Sequence, residues 1–217
     1  MDYLRGYKQK LIVSLILGAA LAAGLYLAFR IGHERQAIGP YESMQGWQPI
    51  GGRWNEHGGI FSNSNYGRGD MLIAPHSQGT NYRIAADIRF NLLFSETHYG
   101  DAGLVIRTTD PEQGVDSYQG YYAGVRPDDQ TVVLGRASYE WHQLVTAPLA
   151  TPVSVGDWYR VTLSAQECKI TFTVTPLNGG PSTHIEHNDE HCLTEGVAGL
   201  RSFYAQASWR NVEVTSN

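Results

Sequence analysis

Residues 100–136 read GDAGLVIRTTDPEQGVDSYQGYYAGVRPDDQTVVLGR, and this stretch decides the fold class. It holds three short apolar or aromatic runs: Leu104-Val105-Ile106, Tyr121-Tyr122-Ala123-Gly124-Val125 and Thr131-Val132-Val133-Leu134. Between them stand turn formers, first Asp110-Pro111 and Gly114, then Pro127-Asp128-Asp129. Proline presets φ, and Gly and Asp tolerate the backbone angles that reverse a chain. Runs joined in this way predict consecutive antiparallel strands, a meander.

Outward from the meander the same pattern continues. Tyr82, Ile84, Ala86, Ile88 and Phe90 alternate with Arg83, Ala85, Asp87 and Arg89. A period of two turns the first set toward a core and the second toward solvent. Trp158 to Leu163 alternates likewise, as do Ile170, Phe172 and Val174 against Thr171 and Thr173. Ile60-Phe61, Met71 to Ile73, Gly199 to Phe203 and Val212 to Val214 add further short strands. Roughly ten to twelve strands, with no helical period beyond Phe29, predict an all-β, two-sheet antiparallel jelly-roll sandwich.

The chain has 217 residues, 17% of them charged and 42% hydrophobic, as a globular domain requires. A net charge of −5 gives nucleic acid no electrostatic grip, so no nucleic-acid partner is expected. Leu11 to Phe29, LIVSLILGAALAAGLYLAF, carries no charge and is long enough to span a bilayer as a helix. Arg5, Lys8 and Lys10 precede it, which sets the N-terminus in the cytoplasm and exports the rest. Ala20-Leu21-Ala22 resembles a signal cleavage site, but the apolar run is longer than a signal peptide needs, which favours an uncleaved anchor. Gly18 with Ala22, and Ala20 with Gly24, have the small-xxx-small spacing that lets another membrane helix approach. The expected organisation is therefore a cytoplasmic N-terminus and transmembrane helix at 1–30, a polar linker at 31–45 and an exported domain at 46–217. That layout suits a bacterial inner membrane protein with its domain in the periplasm.

The two cysteines flank the turn Asn178-Gly179-Gly180-Pro181. A hairpin centred on Gly180 sets Cys168 and Cys192 opposite each other, ready for a disulfide in an oxidising compartment. The other reading is a pair of reduced, buried thiols.

Gly100 to Arg107, Gly120 to Gly124 and Val133 to Arg136 are similar to the concanavalin A-like lectin/glucanase superfamily. More narrowly, they resemble its laminin-G-like and fructan-binding branches. Trp141 with Leu144, Gly156-Asp157-Trp158-Tyr159, Gly196 to Arg201 and Asn211-Val212 extend the resemblance over Trp47 to Val214. It implies the sandwich but no single activity, since this fold carries binding, structural and enzymatic proteins alike. Such modules often hold a structural calcium through an Asp before the Asn-Val pair. Here Arg210 stands in that place, and a cation cannot ligate calcium, which disfavours the ion. No cofactor is expected.

Little in the sequence points to catalysis. His184, His187, His191 and Cys192 lie near Glu186, Asp189 and Glu190, but without a metal-site spacing, so a solvated loop is the expectation. Glycoside hydrolysis needs two paired carboxylates, whereas Asp101, Asp116 and Glu140 each stand alone and read as surface charges or caps. No catalytic and no metal-binding residue is assigned. Binding residues are better represented: Tyr118, Tyr122 and Trp141 stand in or beside the meander with Arg107, Arg126 and Arg136. Aromatic faces stack on sugars, and guanidinium groups hydrogen-bond hydroxyls or a partner protein. Strand alternation requires that one of Tyr121 and Tyr122 face the core. The leading expectation is a non-catalytic accessory subunit that docks on other integral membrane subunits, such as a photosynthetic or respiratory complex. The alternative is a membrane-tethered carbohydrate-binding module with a glycan partner, and a glycoside hydrolase comes third.

Overall fold

A computed structural model of the chain describes residues 37–41, 43–77, 79–94 and 99–216. The membrane anchor, with Gly18, Ala20, Ala22 and Gly24, lies outside the described residues. Fifteen strands form, and there is no helix among the described residues. In chain order they are β1 (Ala37–Tyr41), β2 (Gln48–Ile50), β3 (Trp54–His57), β4 (Ile60–Asn63), β5 (Arg68–Ser77), β6 (Tyr82–Leu93), β7 (Asp101–Thr109) and β8 (Gln119–Arg126). Then follow β9 (Thr131–Ser138), β10 (Trp141–Pro148), β11 (Trp158–Gln166), β12 (Lys169–Pro176), β13 (Thr183–Asn188), β14 (Val197–Phe203) and β15 (Ala205–Ser216).

The strands make two antiparallel sheets packed as a sandwich. The seven-stranded sheet runs β10-β9-β8-β7-β14-β5-β2. The eight-stranded sheet runs β13-β12-β11-β6-β15-β4-β3, with β1 added on β15. The meander of residues 100–136 is β7-β8-β9, and β10 continues it. Two sequence expectations shift. Part of the segment read as linker is the strand β1, whose Ala37 pairs with Thr215 and Tyr41 with Val212. The β12–β13 hairpin also turns earlier than Gly180, because Lys169 pairs with Asn188 and Thr173 with His184. Cys168 and Cys192 still form a disulfide, with Cα atoms 5.3 Å apart. They meet because the chain after β13 folds back, and the Asp189 N–H donates to the Cys168 carbonyl at 3.0 Å.

The two sheets differ in what their outer faces carry. In β11 and β12 buried residues alternate with partly exposed ones, and Thr162, Ser164, Thr171 and Thr173 face outward. In β7 and β8 nearly every residue is buried. A strand buried on both faces reads as a continuous apolar run, and Leu104-Val105-Ile106 is one. Its inner residues join the core between the sheets. Its outer residue Val105 belongs to a second apolar layer with Met71, Ile73, Tyr118, Tyr122 and Val133, partly covered by Trp141 and Ile50. The parity of the two tyrosines follows from this: Tyr121 enters the inter-sheet core and Tyr122 the outer layer.

A bulge in β7 fixes the far end of the sandwich. Ile106 pairs with Tyr121 and Thr109 with Gln119, so the ladder slips between them. Arg107 sits in the slip at φ 53°. Bulges re-aim side chains, and this one sends a fully buried guanidinium among three loops. It donates to the carbonyls of Thr80 at 2.7 Å, Glu167 at 2.6 Å, and Leu193. The disulfide joins the neighbours of the last two, so the same loops are pinned twice.

Candidate functional site

A cavity of about 150 Å³ opens on the outer face of the seven-stranded sheet. Each wall comes from a different element: Asp101 from the start of β7, Tyr122 and Arg126 from β8, Trp141 from β10, Arg201 and Phe203 from β14, and Asp116 from the β7–β8 loop. Two glycines make room for the rings. A Cβ on Gly124 would collide with the Tyr122 hydroxyl, and one on Gly135 with the Trp141 indole. Tyr122 thus passes over Gly124 and the Trp141 indole over Gly135, and the two rings meet edge to face with centroids 6.1 Å apart.

Arg201 is the centre of the charge network. Its guanidinium donates to Asp116 Oδ1 at 2.9 Å, lies 3.7 Å from Asp101 Oδ1, and stacks 4.3 Å above the Tyr122 ring. Tyr122 donates its hydroxyl to Asp101 Oδ1. Burial works against the charge on Arg201, yet Tyr118, Tyr122 and the two carboxylates outweigh it and hold its pKa above the ordinary value. Burial raises the pKa of the Asp101 carboxyl, with Arg201 and the Tyr122 hydrogen bond opposing it in part. Burial likewise pushes the Tyr122 hydroxyl well up, helped by the Asp101 charge. Arg126 forms the opposite wall, 5.8 Å above the Tyr99 ring, and makes no ion pair among the described residues. The Tyr118 hydroxyl, Arg126 Nε and Arg201 Nε are buried without hydrogen-bond partners among the described residues. Each such atom costs about 1–3 kcal/mol, which sets a premium on polar groups that reach them.

Of the residues singled out in the sequence, the fold brings Tyr122, Arg126 and Trp141 together on the cavity and buries Tyr118 in the layer beneath. It places two arginines elsewhere. Arg107 is committed to loop carbonyls and is no surface group. Arg136 pairs with Asp189 at 3.1 Å and with the His191 carbonyl at 2.8 Å, near the disulfide. Asp101, Asp116 and Arg201 are the members that sequence reading missed. Asp101 and Asp116, read as lone surface charges or caps, both approach one buried guanidinium, at its two terminal nitrogens. The available signal was Arg201 itself, a charge within the apolar run Val197 to Phe203, since a buried charge demands partners.

The histidine-rich segment is engaged in ordinary surface contacts. His184 meets Thr173 at 3.0 Å and Glu186 at 3.4 Å, while Asp189 accepts the Tyr121 hydroxyl at 2.7 Å. No group of three His, Cys, Asp or Glu side chains among the described residues could hold a metal ion. Arg210 pairs with Asp87 at 3.3 Å and stacks 4.3 Å from Trp158, so the residues at that position do not fit a calcium ion.

Comparison with solved structures places the fold. The chain superimposes on the carbohydrate-binding module CBM66 from Bacillus subtilis with a TM-score of 0.63 at 20% identity, covering 77% of this chain and 93% of that one. A Bacillus subtilis protein of unknown function with a galectin-like fold gives 0.63 at 14% identity, covering 84% and 99%. The calcium-bound exoplasmic/lumenal domain of VIP36 gives 0.59 at 9% identity, covering 79% and 84%. These likenesses show a concanavalin A-like, galectin-like sandwich. No curated protein matches the chain by sequence. A family model matches residues 40–215, nearly the whole sandwich, and on that match the chain belongs to the family of the 3-keto-alpha-glucoside-1,2-lyase-like domain.

Proposed function

We propose that this domain is an extracytoplasmic carbohydrate-recognition module that holds the end of a glycan in the Arg201 cavity without cleaving it. The observation that carries the reading is the make-up of the cavity. Two guanidinium groups and two carboxylates balance in charge beside the Trp141 ring, in a space of about 150 Å³. A cavity of about that size accommodates one six-membered ring. A neutral sugar offers hydroxyls to planar donors and acceptors, and an apolar C–H face to an indole. The reading agrees with two relatives of the fold, a carbohydrate-binding module and a VIP36 domain solved with Man3GlcNAc bound. The disulfide supports an oxidising compartment. A glycan array probed with the full-length chain in mild detergent tests the proposal. Selective binding, weakened at least about tenfold by Trp141→Ala, is expected; no binding to any glycan would remove it.

One observation favours a second reading, in which the same cavity is a lyase site. Asp101 is a buried carboxyl with a raised pKa, joined to Tyr122, in a family named for a 1,2-lyase. A 3-keto group acidifies the neighbouring C2–H. A carboxylate base would take that proton, a C1–C2 double bond would form, and the C1–O bond would break with a proton passing to the leaving oxygen. Incubation with a 3-keto-α-glucoside, followed by NMR, distinguishes the readings: turnover that disappears in Asp101→Asn favours the lyase. Docking on a larger membrane complex is a separate proposal that rests on residues 11–29. Purification in mild detergent tests it, and recovery of a lone monomer counts against it.

A further inference from the structure

The aromatic wall of the cavity does not end at its mouth. Tyr99 and Phe203 both line the cavity and meet edge to face with centroids 5.9 Å apart. Phe203 meets Tyr204 at 4.5 Å, Tyr204 stacks on Phe94 at 5.4 Å, and Phe94 meets Tyr66 at 5.7 Å. Arg68 lies 5.9 Å above the Tyr204 ring. The rings come from three separate crossings between the sheets: β4 to β5 supplies Tyr66, β6 to β7 supplies Phe94 and Tyr99, and β14 to β15 supplies Tyr204. Backbone hydrogen bonds lock those crossings side by side, Tyr204 N–H to the Gly67 carbonyl at 2.9 Å and Phe94 N–H to the Tyr204 carbonyl at 3.0 Å.

All five rings are partly exposed. The core of this domain has room for large rings and buries Tyr82, Phe61, Phe90 and Phe172 almost completely. The row is thus a half-open aromatic strip, continuous with the cavity, with Arg126 over Tyr99, Arg201 over Phe203 and Arg68 over Tyr204. Half-exposed rings of this kind offer apolar surface to successive C–H faces of a neutral chain, with Arg68 placed to donate to hydroxyls.

We propose that the strip is an extended glycan track, an inference that rests on the cavity's being a sugar site. The cavity takes the terminal sugar, and Tyr204, Phe94 and Tyr66 take the sugars that follow, so the ligand is the end of a neutral oligosaccharide rather than a single sugar. Calorimetric titration of the full-length chain in mild detergent tests this with glucose, mannose, fructose and their linear oligosaccharides of increasing length. Affinity for the preferred series is expected to rise about tenfold from single sugar to oligosaccharide. Tyr204→Ala and Tyr66→Ala should each cut into that gain while the single sugar binds as before. Tyr204 has a φ of 50° and is tied by backbone bonds, so Tyr66→Ala provides a variant at a less constrained position. Equal affinity for the single sugar and the longest oligosaccharide would overturn the track and leave the cavity standing, as would an unchanged gain in both variants. In either case the strip belongs to a different partner, such as a protein. No binding of any sugar would overturn both readings.

Discussion

Replacing Arg201 by alanine removes the cation that bridges Asp101 and Asp116 and leaves a buried carboxylate uncompensated. Breaking a buried pair from one side costs about 3–5 kcal/mol, and urea denaturation of Arg201→Ala should show a loss of that size. A second prediction at this scale concerns pH. Because the folded state raises the pKa of Asp101, it binds a proton more tightly there than the unfolded chain does. Stability from this group is therefore present at low pH and is lost as pH rises from about 4, the ordinary carboxylate value, through the raised one. Asp101→Asn should flatten that part of the curve of melting temperature against pH. Asp189 works in the opposite sense. Burial would raise its pKa, but Tyr121, the His191 N–H and Arg136 outweigh burial and lower it, so its contribution is lost as pH falls. Tyr121→Phe should reduce that acid-side loss. At this scale the sequence revealed the aromatic half of the site more readily than the charged half. Tyr122 and Trp141 announce themselves by type, whereas an Asp in a binding cavity looks like an Asp in a turn. What distinguishes Asp101 is its approach to Arg201, which depends on β7 and β14 being neighbours, and nothing local encodes that pairing.

At the scale of elements, the β7–β9 meander was legible because Pro, Gly and Asp mark its turns and its apolar runs need burial on both faces. The β12–β13 hairpin was legible in existence but not in register. Three consecutive residues, Asn178, Gly179 and Gly180, can each serve a turn, and only cross-strand packing chooses among them. Strand β1 escaped notice because Gly39-Pro40 reads as a linker, although an edge strand tolerates proline on its unpaired side. The loops at the Arg107 end supply the third prediction. Cys168→Ser with Cys192→Ser should lower stability by about 3 kcal/mol in denaturant titration. Glycan affinity should stay the same, because neither cysteine lines the Arg201 cavity. Arg107→Met should be similarly costly, since it strips three loop carbonyls of a charged donor at about 1.5–3 kcal/mol for each such bond before relaxation. A change in glycan affinity in either variant would mean that the two ends of the sandwich are coupled.

For the molecule as a whole, the two sheets are asymmetric in what their outer faces carry. The eight-stranded sheet turns threonines, serines and paired charges outward, as a solvated face should. The seven-stranded sheet carries a second apolar layer, and the cavity is set into that layer with its buried ion pairs and its aromatic wall. A sandwich gains little from a second layer on an outer face unless something is held there. The fold class could be read from residue patterns alone, whereas the disulfide was expected from a hairpin register that the fold does not have, and forms because the chain folds back after β13. The cavity face could not, because it is assembled from β7, β8, β10 and β14, whose order in the sheet appears only once the chain is folded. A crystal structure of the protein grown with the sugar that binds it best would show whether the Arg201 cavity holds a sugar. One sugar ring is expected in the Arg201 cavity, its hydroxyls hydrogen-bonded to Asp116 and Arg126 and its apolar face on Trp141. A sugar on the eight-stranded sheet, or an empty cavity at saturating sugar, would contradict it.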